Sequence, residues 1–291
     1  MQTGGVPELP EVHALVTDLG ARLGGRTVDR LEVVSFAALK TFDPPVSALA
    51  GRVIATVTRH GKFLDIPVGE VHLIIHLARA GWIRWREGAP VRTGRPGKGP
   101  LAARLVLDDG SGLDITEAGT KKSLAIYVVR RPADVPGIAR LGPDPLDEAF
   151  TEQVFADILV TAGRSQIKGV LRNQSIIAGI GNAYSDEILH AARMSPFKPA
   201  SMPPDDSSRL YGAMQATLRG AIARADGLAA SELKREKKSG LQVHGRAGEA
   251  CPVCGDTVRQ VIFADSSLQY CPTCQTGGKP LADRLLSRLL K

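Results

Sequence analysis

The sequence predicts an α+β protein in which strands come first, helices follow, and a small hairpin flanked by four cysteines lies near the end. Short runs rich in Val, Ile, Leu and Thr recur through the first half and are separated by glycines. Helical periodicity follows a proline-rich segment at 132–145, which is typical of an interdomain linker. Two Cys-x-x-Cys pairs then lie near the end. A chain of 291 residues has room for two domains or one large one.

The composition is globular and favours a polyanionic partner. Hydrophobic residues make up 43% of the chain, and the formal net charge is +7. Aromatic residues make up only 4%, which argues against broad base-stacking platforms. No apolar run reaches membrane-spanning length, and residues 1–5 lack the basic and apolar regions of a secretory signal. We therefore expect a cytoplasmic protein that does not enter a membrane.

The first half is predicted to hold one helix followed by strands. The helix is predicted by apolar residues at helical spacing, namely Val12, Leu15, Val16, Leu19 and Leu23. Strands are predicted over residues 28–34, 52–58, 63–66, 71–77, 104–107, 113–116 and 123–129. Their spacing is typical of an antiparallel sandwich or barrel. Segment 90–100, rich in Gly, Pro, Arg and Lys, is predicted to be an exposed loop.

Four helices are predicted in the second half, over residues 150–159, 167–174, 183–192 and 207–225. Gly179, Gly181 and Asn182 lie between the second and the third of them. The two glycines allow tight turns that expose backbone N–H groups at a helix start, which is one way of binding phosphate. A plain helix–helix turn with an Asn cap explains these residues equally well. The basic run 234–238 is typical of a solvated face, with DNA contact as an alternative.

A doubled Pro-Glu pair stands near the start, at Pro7-Glu8 and Pro10-Glu11. Pro and Glu are common in a first helical turn, which accounts for Pro10 and Glu11. It does not account for the upstream pair. A proline at a free N-terminus is a secondary amine and a potential nucleophile, and a neighbouring carboxylate could move protons.

The four cysteines give the strongest signal obtained from the residues alone. Cys251 and Cys254 form one pair, Cys271 and Cys274 the other, and strands are predicted over 258–262 and 267–270 between them. This spacing is typical of a tetrahedral zinc site on a hairpin. Disulfides and redox chemistry are the weaker alternatives. Four thiolates leave no open position, so we expect one structural Zn²⁺.

Four stretches, in this order, resemble the formamidopyrimidine-DNA glycosylase/endonuclease VIII family. They are Pro-Glu-Leu-Pro-Glu-Val at 7–12, Arg-His-Gly-Lys-Phe-Leu at 59–64, Ala-Gly-Ile-Gly-Asn-Ala-Tyr-Ser-Asp-Glu at 178–187 and the cysteine hairpin. Gln-Val-His-Gly-Arg at 242–246 also matches. The resemblance covers nearly the whole chain. It implies an N-terminal β-sandwich, a helix-two-turn-helix domain and a zinc finger. It further implies a glycosylase and AP lyase that repairs damaged DNA, which we expect to be monomeric.

The resemblance also implies roles for single residues. Pro7, if its nitrogen is free, would attack C1′ of the damaged nucleotide and form a Schiff base, while Glu8 would move protons. Lys62 would lie near the lesion and its phosphates. Asn182 and Gly181 would hold a phosphate. Further candidate DNA contacts are Lys168, Lys98 and Arg79.

Three departures from the family pattern concern lesion recognition. Ser266 stands where the finger usually carries an Arg. Arg79 stands where a Met usually fills the gap left by the flipped base, and segment 116–122 replaces an Arg-Arg-Phe-Gly stretch. We therefore expect weak excision of 8-oxoguanine and better processing of abasic sites and of ring-opened or pyrimidine lesions. The missing Arg also weakens the case for δ-elimination after β-elimination.

The start of the chain raises a chemical problem, because Pro7 joined to Val6 is an amide whose nitrogen cannot form a Schiff base. Lys62 is the substitute nucleophile, but its reference pKa of about 10.4 leaves little free amine at neutral pH. A valine codon can also be a bacterial start codon, and Met before Pro is readily removed. We therefore expect residues 1–6 to be an extension or a mis-called start.

The expected boundaries are 7–131 for the catalytic β-sandwich domain, 132–146 for the linker, 147–240 for the helix-two-turn-helix domain, 241–278 for the zinc finger and 279–291 for a helical tail. DNA binding would place the protein at the bacterial nucleoid. A non-catalytic binder of damaged or abasic DNA with the same fold is the alternative function.

Overall fold

The computed structural model describes residues 6–88, 100–120, 122–263 and 266–281. Over these residues the chain divides into two compact units. One unit takes in the described residues as far as Leu141 together with Arg224–Lys238, and the other takes in Gly142–Ala223 and the residues from Ser239 onward. Residues 224–238 were expected within the domain 147–240, but they pack with the first unit. Lys98 and the tail beyond residue 281 lie outside the described residues.

The first unit contains helix α1 (Leu9–Leu23) and two antiparallel four-stranded sheets. One sheet has the order β1-β6-β7-β5, with β1 Val28–Val33, β5 Gly81–Arg86, β6 Leu101–Leu107 and β7 Gly112–Glu117. The other has the order β2-β3-β4-β8, with β2 Thr58–His60, β3 Phe63–Val68, β4 Val71–His76 and β8 Ala125–Val129. One buried cluster joins apolar side chains of both sheets to the apolar face of α1. The predicted α+β class with an N-terminal sandwich is confirmed.

The predicted strand 52–58 is wrong for most of its length. Only Thr58 lies in a strand, at the start of β2. Val53 forms an isolated bridge with Thr27, and Ile54 forms one with Val68 of the other sheet. The segment therefore crosses from one sheet to the other instead of pairing along either, and only Ile54 and Val57 of its apolar residues are buried. Strand β5 was not predicted, although Trp82 and Ile83 are buried on it.

The second unit is helical and ends in a hairpin. Its helices are α2 (Glu152–Ala162), α3 (Ile167–Arg172), α4 (Asn182–Ala191) and most of α5 (Pro204–Ala225). The next helix, α6 (Leu233–Gly240), was not predicted and lies mainly in the first unit. Strands β9 (Arg259–Ile262) and β10 (Ser267–Tyr270) form the predicted hairpin, and α7 (Pro272–Thr276) follows it. Among the described residues, no helix is long and apolar enough to cross a membrane.

Candidate active site and nucleic-acid interface

The start of α1 is built by a reciprocal cap. Glu8 is the N-cap residue and Pro10 lies in the first turn, as its fixed φ and missing donor favour. The backbone N–H of Glu8 donates to Glu11 Oε2 at 2.8 Å, and the Glu8 carboxylate accepts from the backbone of Glu11. Pro7 and Glu8 are both buried, and Glu8 is only 2% exposed. The cap therefore fixes the two candidate catalytic residues relative to the helix.

A lysine from the other end of the sequence completes this cap. Lys237 Nζ of α6 donates to Glu11 Oε2 at 2.7 Å and to the carbonyl oxygen of Val6 at 2.8 Å. Both side chains of this ion pair are 4% exposed. The expectation of a solvated basic face at 234–238 is therefore wrong for Lys237. Local sequence held no signal for this residue, because its partner lies 226 positions away.

Lys62 stands on the hairpin turn between β2 and β3. His60 pairs with Phe63 across the turn, and Gly61 has a φ of +53°, as the first central position of a type II′ turn requires. Helix α1 packs against both strands of this hairpin, so the turn and the Pro7-Glu8 pair belong to one packed substructure. Burial, and then the Lys62 charge, lower the pKa of His76 to about 4. The ring of Phe63 lies on that imidazole, with ring centroids 4.5 Å apart.

Arg79 is exposed on the connection between β4 and β5, where the chain passes from one sheet to the other. Ala78 beside it has a φ of +50°. Gly81 closes the connection, and its N–H donates to the Leu77 carbonyl at 2.8 Å. A Cβ at position 81 would lie 2.2 Å from that oxygen, so only glycine fits. The connection thus holds Arg79 outward as its most exposed member.

The segment after β7 is tied to the strand end. The Glu117 carboxylate accepts the backbone N–H of Ser123 at 2.6 Å and that of Leu124 at 2.8 Å. Lys122 Nζ donates to the Glu117 carbonyl at 2.6 Å. The described part of this stretch is therefore organised around the buried Glu117 carboxylate.

The turn before α4 is closed by amide groups. Gly179 has a φ of +87°, its N–H donates to Gln174 Oε1 at 2.9 Å, and Gln174 Nε2 donates to the Ile180 carbonyl at 2.6 Å. Gly181 is the N-cap residue of α4, and Asn182 begins the helix. Asn182 Nδ2 donates to the Ser267 carbonyl of the finger at 2.7 Å. A side-chain amide nitrogen carries two hydrogens, so Nδ2 can also donate a hydrogen bond to a phosphate oxygen beside the helix start.

Lys168 supports this turn from inside. Its Nζ donates to Asp186 Oδ1 at 2.6 Å, to Ser185 Oγ at 2.7 Å and to the Asn182 carbonyl at 3.1 Å. Its side chain is 6% exposed, and three acceptors match the three hydrogens of an ammonium. A direct contact between Lys168 and DNA stays a prediction. In the structure the lysine positions the backbone of Asn182.

The segment before the finger is held by one carboxylate of α4. Glu187 accepts the backbone N–H groups of Gln242, Val243 and His244 at 2.7–2.9 Å. Burial raises the pKa of Glu187, although these three donors oppose the rise. Asp186 beside it accepts from His244 Nδ1 and from the N–H of Gln269 on β10. Side chains of helix α4 therefore bind the segment before the finger and the β9–β10 hairpin, while the start of α4 forms the turn at Gly181.

The four cysteines converge as a zinc site requires. Their Sγ atoms all lie within 4.8 Å of one another, with 3.3 Å between those of Cys254 and Cys271 and 3.9 Å between those of Cys251 and Cys274. A Zn–S distance of about 2.3 Å gives tetrahedron edges of about 3.8 Å. His190 Nε2 lies 3.3 Å from Cys251 Sγ, and burial lowers the pKa of this histidine. A neutral imidazole can donate N–H to a thiolate and hold it in place.

Comparison with known proteins assigns the chain to a family. Three family profiles match in order: the formamidopyrimidine-DNA glycosylase N-terminal domain over residues 6–120, its H2TH domain over 141–232 and the zinc finger found in FPG and IleRS over 248–277. A formamidopyrimidine-DNA glycosylase of Symbiobacterium thermophilum is 35% identical over 93% of this chain and 89% of its own length. The chain belongs to the formamidopyrimidine-DNA glycosylase family. The chain is therefore a base-excision repair DNA glycosylase, as the sequence predicts.

Other relatives agree on fold and extent. The crystal structure of the MutM (Fpg) protein from Thermus thermophilus superposes with a TM-score of 0.77 at 32% identity, covering 94% of this chain and 100% of that one. A structure of MutM bound to DNA containing carbocyclic 8-oxo-G has a TM-score of 0.80 at 27% identity, covering 93% and 100%. An uncharacterised formamidopyrimidine-DNA glycosylase-like protein of Mycobacterium tuberculosis is 54% identical over 55% of this chain and 99% of its own length. DNA as the partner and one structural zinc are confirmed.

Proposed function

We propose that the nitrogen of Pro7 is the nucleophile of this glycosylase and that Glu8 moves the protons. The observation that carries the proposal is the buried cap that fixes Pro7 and Glu8 on the helix packed against the Lys62 hairpin. The flipped nucleotide presents C1′ to the amine, the C1′–N bond of the damaged base breaks, and the base leaves with a proton. The Pro7 nitrogen is now bonded to C1′, the C1′–O4′ bond breaks as Glu8 gives a proton to O4′, and the opened sugar is held as an iminium on Pro7. Glu8 then removes a C2′ proton, and the 3′ phosphate departs by β-elimination.

The phosphates on either side of the lesion need separate contacts. Lys62, on its hairpin turn, would bind a phosphate at the lesion, and Asn182 with the Gly181 turn would bind another. Arg79, as the exposed residue of its connection, would enter the gap left by the flipped base. Ser266 has no charge with which to hold the 3′ phosphate, so δ-elimination would be slow.

The proposal requires a chain that begins at Pro7, because an amide nitrogen has no free lone pair. The test compares protein beginning at Pro7 with protein retaining residues 1–6, each incubated with abasic DNA and borohydride. We expect the shorter form to give the covalent adduct more than a hundredfold faster than the form that retains residues 1–6. Equal trapping of both forms would contradict Pro7, and loss of that adduct in Lys62→Gln would then identify Lys62. No adduct from either form would support a non-catalytic binder.

The lesion preference follows from Arg79 and segment 116–122, which stand where the family usually carries the residues that fill the gap left by the flipped base. Arg79 is charged, and in the described part of segment 117–124 the one large apolar side chain, Leu124, is buried. Neither provides an exposed apolar side chain to hold open a well-stacked pair, so poorly stacked lesions should be processed first. We expect excision of 8-oxoguanine opposite cytosine to be at least tenfold slower than cleavage at an abasic site. Single-turnover rates on duplexes with abasic, ring-opened purine, oxidised pyrimidine and 8-oxoguanine sites provide the measurement. Equal rates for 8-oxoguanine and abasic DNA would refute this preference.

We also propose that one copy acts on each lesion and that DNA binding places the protein at the nucleoid. The +7 charge supports association with chromosomal DNA. Light scattering of the complex with a single-lesion duplex should give the mass of one chain plus DNA.

A further inference from the structure

Helix α6 is fixed on the first unit by three contacts besides Lys237. Trp82 Nε1 donates to the Ala230 carbonyl just before α6 at 3.1 Å, and Lys234 Nζ lies 4.4 Å from the centre of the Trp82 rings. Arg224 at the end of α5 pairs with Glu236 at 2.8 Å. The Arg224–Glu236 pair therefore joins the two ends of segment 224–238, while Trp82 contacts its middle, and together these contacts fix the helix that carries Lys237.

Lys237 reaches the backbone beside the reacting nitrogen. Its Nζ lies 2.8 Å from the carbonyl oxygen of Val6, and that carbonyl forms the amide with Pro7. Oxygen and nitrogen of one amide are about 2.3 Å apart, so Nζ lies within about 5 Å of the Pro7 nitrogen. No other buried ammonium is recorded at this end of α1 among the described residues.

The contact with Glu11 transmits this placement to Glu8. Glu11 Oε2 accepts both Lys237 Nζ at 2.7 Å and the Glu8 N–H at 2.8 Å. A buried carboxylate without a counter-ion would protonate or turn towards water, because burial of a lone charge is costly. Lys237 therefore fixes the rotamer of the group that caps Glu8. This link persists in a chain that begins at Pro7, where the Val6 carbonyl is absent.

We propose that Lys237, acting through Glu11, is a positioning residue for Pro7 and Glu8. The inference rests on the proposed function, since it concerns the geometry of that nucleophile. Misplacing a reacting atom by about 1 Å can cost 10²-fold in rate. Loss of Lys237 should therefore slow formation of the Schiff base without weakening DNA binding, because its side chain is buried within the first unit.

The experiment uses full-length protein beginning at Pro7 and carrying Lys237→Gln, Lys237→Arg or Lys238→Gln. Lys238 is exposed on the same helix and serves as the matched control. Three quantities are measured: the single-turnover rate of the borohydride-trapped adduct with abasic DNA, Kd for DNA containing a tetrahydrofuran site, and Tm. We expect Lys237→Gln to lower the rate at least tenfold with Kd within twofold of the parent. Lys237→Arg should restore the rate to within about threefold, and Lys238→Gln should match the parent.

The double variant Glu11→Gln with Lys237→Gln guards against misfolding of the single variant. It removes both charges, which is far less costly than leaving one unpaired, and Gln at position 11 can still accept the Glu8 N–H. We expect this variant to fold, and we expect its borohydride-trapped adduct to form at least fivefold more slowly than that of the parent. Parent-like trapping in the folded double variant, or a Kd that weakens in parallel with the rate, overturns the inference. Absence of any adduct from the parent overturns the proposed function instead.

Discussion

His76 combines partial burial with a neighbouring cation, and this makes its protonation costly in the folded protein. Its pKa falls to about 4, below the ordinary value of 6.5. As the pH falls from about 6.5 to about 4, His76 binds a proton in the unfolded chain before it does so in the folded protein. The free energy of unfolding therefore decreases over this pH range. The shift sets an upper bound of about 3 kcal/mol on this effect.

The substitution His76→Gln should remove much of that pH dependence. We expect the free energy of unfolding of the parent to fall more steeply between pH 6.5 and pH 4 than that of the variant. Urea unfolding at several pH values in this range measures both slopes. Parallel curves would show that His76 titrates normally.

At the scale of elements, we expect the fold of the β9–β10 hairpin to depend on its metal. A two-stranded hairpin is marginal alone, and zinc binding supplies folding energy to such units. Removing zinc with a strong chelator should unfold the hairpin and release the Asn182–Ser267 contact. DNA affinity should fall at least tenfold and return on adding Zn²⁺.

The zinc prediction is checked by metal analysis and by DNA titration before and after chelation. His190→Ala provides a graded variant, because loss of its contact with Cys251 should weaken zinc affinity about 10–100-fold. His13→Ala, which removes an imidazole from the first unit, is the control. Metal analysis that finds no zinc in native protein would contradict the prediction.

At the scale of the whole molecule, we expect charge to govern binding to undamaged DNA, because the chain carries a formal net charge of +7. Neutralised phosphates release counter-ions, so log K should fall linearly with log salt, by about 0.9 per phosphate. Six contacts would weaken binding about 10³-fold between 50 and 200 mM salt. Fluorescence anisotropy with an undamaged duplex measures this slope. A flat response would argue against phosphate contacts as the main source of affinity.

The sequence by itself determined the features that depend on neighbouring residues. Helical periodicity predicted α1, short runs rich in Val, Ile, Leu and Thr predicted most strands, and the cysteine spacing predicted the zinc site. Each prediction rests on local features: 3.6 residues per helical turn, residue types that favour strands, or ligands on two tight turns. The order of the motifs along the chain indicated the family, because that order can be read from the sequence without knowing how the chain packs.

Only the tertiary structure decided where buried charges and irregular segments go. Lys168 and Lys237 resemble any solvated lysine in the sequence, yet both are buried against carboxylates. Segment 52–57 has strand composition but bridges two sheets. A lysine is buried only where a distant carboxylate compensates its lost hydration, and 226 positions separate Lys237 from Glu11. Packing alone brings such partners together, so no local pattern could reveal them.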